Sequence, residues 1–168
     1  MELQKFLRVL YRLMLEVLKY LLVILTLALV VIVFGNVVGR YLFNYSWPWA
    51  DEASRFLFIW VILIGAVLTN EKYEHMNLDI LVRWLPSMSG RILQITSQAV
   101  IVAVLAIIVR GGITATVGNL TFDSPALGVP YGLVYMIVPI CCTIMIVQTI
   151  ARMIRITREL VAENRAAN

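Results

Sequence analysis

Charge is scarce in this chain, and it is absent where the chain is most apolar. Asp, Glu, Lys and Arg make up 14% of the 168 residues, against about a quarter in a soluble domain. The stretches 20–39, 56–70, 92–109 and 124–151 contain none of them. There is one histidine, His75, and there are two cysteines, Cys141 and Cys142, adjacent in an apolar run. Each scarcity excludes something. With no ionisable group near the middle of an apolar stretch, a proton relay has nothing to use and a small multidrug exporter lacks its carboxylate. A single histidine in a loop leaves no pair of axial haem ligands. Neighbouring cysteines on a helix point about 100° apart, which places them poorly for a mutual disulfide. No further ligands stand near them to complete a metal site, so they read as small packing residues. No phosphate-binding glycine loop and no nucleophile–base pair is visible. No enzymatic activity, cofactor or metal is therefore expected.

Apolar residues are what the chain has in abundance, at 61%. Crossing a bilayer takes about 20 mostly apolar residues. The composition predicts an all-α integral membrane protein with four transmembrane helices plus interfacial amphipathic helices. It excludes a soluble enzyme, a disordered chain and a β-barrel, whose strands would alternate. The net charge of +4 does not point to nucleic acid. The cations sit at the ends of the spans, where they meet lipid headgroups.

One membrane domain is expected over residues 1–168, with spans near 20–39, 47–70, 92–110 and 131–151 and a charged tail at 152–168. Residues 1–19 carry Glu2, Lys5, Arg8, Arg12, Glu16 and Lys19 at three- and four-residue spacing. This is the pattern of an amphipathic helix lying in the membrane surface. Span 1 closes with Gly35, Asn36 and Gly39 before Arg40. Small residues four apart allow another helix close, and an amide between them can bond across the contact. Span 2 opens on Trp47-Pro48-Trp49, where proline suits a first helical turn and tryptophan suits the interface. Asp51 and Glu52 favour the positive helix end, and Arg55 shares their face. Arg55 lies about 10 Å below the helix start, so it needs a partner or must snorkel. Glu52 is one candidate partner for it.

Between spans 2 and 3, Met76, Ile80, Leu81 and Trp84 recur at helical spacing among Glu74, His75, Asp79 and Arg83. They predict a second surface helix, closed by Pro86, in which His75 and Asp79 can pair. Span 3 has a polar stripe, Gln94, Ser97 and Gln98, of the kind that faces other helices. Its helix ends at Arg110 or runs on to about Gly118. Pro125, Gly128, Pro130 and Gly132 crowd the segment before span 4, which cannot be helical throughout. Pro139 is expected to kink span 4.

Orientation follows from the cations flanking each span. Lys5, Arg8, Arg12 and Lys19, then Lys72, Arg83 and Arg91, then Arg152, Arg155, Arg158 and Arg165 fall on one side. The other side has Arg40, Arg55 and Arg110. Both termini and the middle loop are therefore expected in the cytoplasm. Two classes of protein fit: an accessory subunit of a larger membrane complex, or a small homo-oligomeric carrier or channel.

The run from Trp49 through Asp51, Glu52 and Arg55 to Trp60, followed by Ile64-Gly65-Ala66 and His75-Met76-Asn77-Leu78-Asp79, resembles the small permease subunit of TRAP transporters, the DctQ-type family. Arg40-Tyr41 and the segment from Ser124 to Pro130, with Pro125, agree with it. The resemblance implies a subunit of a sodium-coupled importer of organic acids in the bacterial inner membrane. A large elevator-type permease subunit and a periplasmic substrate-binding protein are its implied partners. The small subunit is implied to be a fixed support that helps dock the binding protein. Glu52 and Arg55 match the family's acid and arginine, and His75 and Asp79 match its loop motif. All are carried over as structural or interface residues, Gly65 among them.

Overall fold

The structure, a computed structural model, describes the backbone of residues 2–72 and 87–166 and the side chains of 9–72 and 94–158. The described residues form five helices: α1 (Glu2–Leu42), α2 (Pro48–Lys72), α3 (Ser87–Gly118), α4 (Tyr131–Tyr135) and α5 (Ile137–Ala166). Four are long and apolar enough to cross a membrane, over Val9–Leu42, Pro48–Lys72, Gln94–Gly118 and Tyr131–Arg158. The chain is a multi-pass helical membrane protein.

The segment 1–19 does not form a separate surface helix. Residues 2–42 are one uninterrupted helix. The reason is local: no proline occurs before Pro48 and no glycine before Gly35, so nothing breaks the hydrogen-bond ladder where amphipathic sequence gives way to apolar sequence. At 41 residues and 1.5 Å per residue, α1 is about 60 Å long. A bilayer with its headgroups is about 40–45 Å thick. In the same way α3 runs through Arg110, Gly111 and Gly112 to Gly118. The surface helix expected around His75 and Asp79 lies outside the described residues.

Pro139 acts three residues earlier than the kink expected of it. Its ring nitrogen has no proton to give the carbonyl of Tyr135, and its ring crowds that carbonyl. Tyr135 is the last residue of α4, and α5 begins at Ile137 with Pro139 in its first turn.

The helices lie in the order α1, α2, α5, α3, and α4 bridges α3 to α5 and α2. Helices α1 and α2 run antiparallel, as do α3 and α5, whereas α2 and α5 run the same way, with Trp60 level with Val134 and Asn70 level with Gln148. The core is small. Ile64 and Val67 of α2 meet Ile137 and Cys141 of α5, and Leu18, Leu21, Leu22 and Leu25 of α1 close over them. Large apolar side chains cover the outside instead, including Val31 and Phe34 on α1 and Ile107 on α3. Several of the buried side chains are polar: Asn36, Gln98, Ser124, Gln148 and Thr149. In water that distribution would aggregate. In lipid it is the favourable one, because the bilayer accepts apolar side chains and polar ones can bond across to other helices.

Candidate functional site

The connection between α1 and α2 is built around Asn36, which is 6% exposed. Asn44 takes the left-handed conformation, with φ 52°, and ends α1 as asparagine can. The chain then doubles back, and the Gly39 carbonyl accepts from the amides of Phe43 and Tyr45. This brings the Trp47 amide to the Asn36 Oδ1 at 3.1 Å, while Asn36 Nδ2 donates to Asp51 Oδ1 at 2.8 Å. One amide side chain therefore fixes both the turn and the first turn of α2. Arg40 adds a contact to Asp51 at 3.9 Å and a long hydrogen bond to Ser46. Trp47 and Trp49 stack at 6.4 Å between ring centroids and stay partly exposed, as interfacial residues do.

The two glycines of span 1 are not equivalent. A Cβ on Gly39 would stand 3.0 Å from the Tyr45 carbonyl oxygen and 3.4 Å from the Trp47 ring, whereas one on Gly35 would meet nothing within 4 Å. Gly39 is required by the chain's own turn rather than by a partner helix. Gly39→Ala should lower stability by about 1 kcal/mol, and Gly35→Ala should be neutral or stabilising by up to about 1 kcal/mol through helix propensity. Thermal unfolding of both variants in detergent checks this. Gly65 also has open space where its Cβ would be.

Glu52 faces the loop between α3 and α4, not Arg55. Its Oε2 accepts the Ser124 hydroxyl, the Ala126 amide at 3.1 Å and the Leu127 amide at 3.2 Å. The loop is shaped to present them. Pro125 supplies the φ that a turn needs at that position, and Gly128, with φ 65°, returns its amide to the Ser124 carbonyl at 2.8 Å. The Ser124 amide bonds to Val129, Tyr131 to Phe122, and Gly132 to Asn119. Pro130 then caps α4. No ion pair joins Glu52 and Arg55 among the described residues. Glu52, one candidate partner for Arg55, is met instead by three donors of the loop that sequence spacing does not reveal.

A second polar cluster, missed in the sequence, lies at the opposite end of the bundle. Tyr11 of α1 donates to Glu71 of α2, and Gln148 of α5 donates to the Tyr11 oxygen at 3.0 Å. Asn70 donates to Gln148 at 2.8 Å, and Arg152 donates to the Asn70 carbonyl. The cluster ties α1, α2 and α5 where α1 leaves the core. On α3, Gln98 is buried while Ser97 folds back onto Gln94. Among the described residues no three His, Cys, Asp or Glu side chains stand close enough to hold a metal ion. His75 and Asp79 lie outside them.

Fold and site together define a multi-pass membrane protein whose polar side chains tie helix ends and a loop to one another. The family profile of tripartite ATP-independent periplasmic transporters, DctQ component, matches residues 29–159. The chain belongs to that family of transporter components. Among its relatives, a putative TRAP transporter small permease protein of Haemophilus influenzae is 35% identical over 105 residues, covering 62% of this chain and 65% of the relative. The C4-dicarboxylate TRAP transporter small permease protein DctQ of Vibrio cholerae is 30% identical over 84 residues, covering 50% of this chain and 36% of the relative. The chain thus spans less than two thirds of the length of either. A second putative small permease protein of H. influenzae is 26% identical over 121 residues, covering 72% and 73%.

Proposed function

We propose that this chain is the small membrane subunit of a sodium-coupled, binding-protein-dependent importer of organic acids. It acts as a fixed support beside a large permease subunit and helps dock a periplasmic substrate-binding protein. Membership of the DctQ family over residues 29–159 carries the reading. The geometry supports it, because Asn36, Glu52, Tyr11 and Gln148 are engaged in internal ties. A coupled carrier needs ion and substrate sites near the bilayer midplane, commonly at broken helices. Here the helix break at Met136 is level with Trp60, halfway along α2, and it is packed rather than open: the Trp60 ring nitrogen donates to the Val134 carbonyl at 3.3 Å, and Ile137 belongs to the apolar core. In this reading the protein sits in the bacterial inner membrane with both termini cytoplasmic, an orientation that the cation count supports.

The test has two parts. Tagged protein purified from native membranes should bring down a large multi-span protein. Proteoliposomes holding this chain alone should show no sodium-driven anion uptake, and uptake should appear when the large subunit and binding protein are added. Robust flux from the isolated chain would replace this reading with the homo-oligomeric carrier. A cysteine at the exposed Ser46 should react with an impermeant thiol reagent from outside intact cells, and its protection would reverse the orientation.

A further inference from the structure

We propose that the groove between α1 and α2, at the Trp47 end of the bundle, is a binding site for a glycerophospholipid, with its phosphodiester on Arg55 and an acyl chain laid along α1. The groove has a volume of about 770 Å³. Val30, Val33, Phe34 and Val37 of α1 and Phe58 of α2 wall it, and all are exposed. From Val30 to Val37 the helix advances about 10 Å. One leaflet of hydrocarbon is about 15 Å deep, half of a core of about 30 Å. The groove therefore runs through most of a leaflet, starting at the headgroup level marked by Trp47 and Trp49.

The charges at its rim are unequal in their engagement. Asp51 accepts from Asn36 and lies 3.9 Å from Arg40. Glu52 is turned to the 124–127 turn. Arg55 also lines the groove, and among the described residues it forms no ion pair. It stands one helical turn, about 6 Å, deeper than Asp51. A guanidinium at that depth is costly unless it meets an anion or snorkels to water. The anion that a bilayer itself supplies just below the aromatic belt is the lipid phosphodiester, which a guanidinium fork binds bidentately. Apolar walls alone would fit any lipid-facing helix pair. It is a cation at phosphate depth that forms no ion pair among the described residues, above an acyl-sized groove, that selects a phospholipid.

The experiment is native mass spectrometry of the full chain released from detergent, after exchange into phosphatidylethanolamine, phosphatidylglycerol or an uncharged diacyl glycolipid without phosphate. Both phospholipids should remain bound through gentle activation and the glycolipid should not. Arg55→Gln should reduce the phospholipid-bound fraction on the order of tenfold, as expected for loss of a charge-assisted contact. Val33→Trp, which fills the groove and leaves the charges alone, should reduce it similarly. If Arg55→Gln does not fold, Val33→Trp decides. Equal retention of glycolipid and phospholipid, or full retention in both variants, would overturn the site in favour of a snorkelling arginine. A photocrosslinker at Phe58 that captures protein instead of lipid in native membranes would overturn it too, because the groove would then be an interface.

Discussion

Replacing Glu52 by alanine should release the turn at Ser124–Leu127 without unfolding the bundle. One carboxylate oxygen serves three donors there, and Ser124 is 2% exposed, so its hydroxyl cannot turn to water for a substitute. Hydrogen bonds to charged groups are the stronger kind, and a buried donor left alone is costly. The amides of Ala126 and Leu127 should exchange with deuterium about ten- to a hundredfold faster in Glu52→Ala, while the amides of the α2 interior keep their protection. Glu52→Gln, which keeps an oxygen at the same reach but no charge, should fall between. Glu52→Asp, a methylene short, should resemble alanine. Arg55→Gln should leave the turn unchanged, which separates this tie from an ion pair within α2. Parent-like exchange in Glu52→Ala would show that the turn holds itself.

Gly132→Ala should be the most destabilising glycine-to-alanine substitution among the described residues. A Cβ there would stand 2.6 Å from the Thr116 carbonyl oxygen, 2.8 Å from Leu120 Cδ2 and 3.0 Å from Leu120 Cα. The leucine tip can swing aside, but the Thr116 carbonyl is held in α3 and accepts the Asn119 amide. Alpha4 must back away, and the Gly132 amide then loses the Asn119 carbonyl at 3.0 Å. Overpacking of this kind costs about 1–3 kcal/mol, and the lost hydrogen bond adds about 1. Gly128→Ala, with open space but φ 65°, should cost about 1–2 kcal/mol from backbone strain alone. Gly118→Ala, with neither clash nor positive φ, should cost nothing. Thermal midpoints in one detergent rank the three, and any other order would mean that α4 is not seated on α3 as described.

The number and places of the long helices are written in the sequence because lipid makes a blunt demand: about 20 apolar residues without charge. What the sequence hides is where partners lie. The charged stripe of residues 1–19 invites a surface helix, yet continuity of the helix is decided by the missing breaker, not by the stripe. The Pro139 break is legible only if the lost bond is counted back to Tyr135. Glu52 looks paired with Arg55 because both are on one helix, while its donors are a serine and two amides more than 70 residues away. Backbone donors leave no mark on a residue string. Tyr11 and Gln148 are 137 residues apart, and only folding puts them in one cluster. Asn36 carries a partial signal: an amide near the end of a span calls for a bond across to a neighbour, without saying to which.

The length of α1 changes how the bundle must meet membranes of different thickness. A helix that is tied at one place only can bend or hinge to fit. Alpha1 is fastened twice, through Asn36 to the start of α2 and through Tyr11 to Glu71 and Gln148, and no proline or glycine lies between those points before Gly35. It behaves as a strut with fixed ends. A thinner bilayer then cannot be accommodated by α1 alone, and the mismatch passes to the tilt of the bundle as a whole. Because the fastenings sit near opposite ends of α2, the tilt of α1 is also the tilt of the loop that Glu52 holds. Membrane thickness thereby sets the angle at which that loop faces the water.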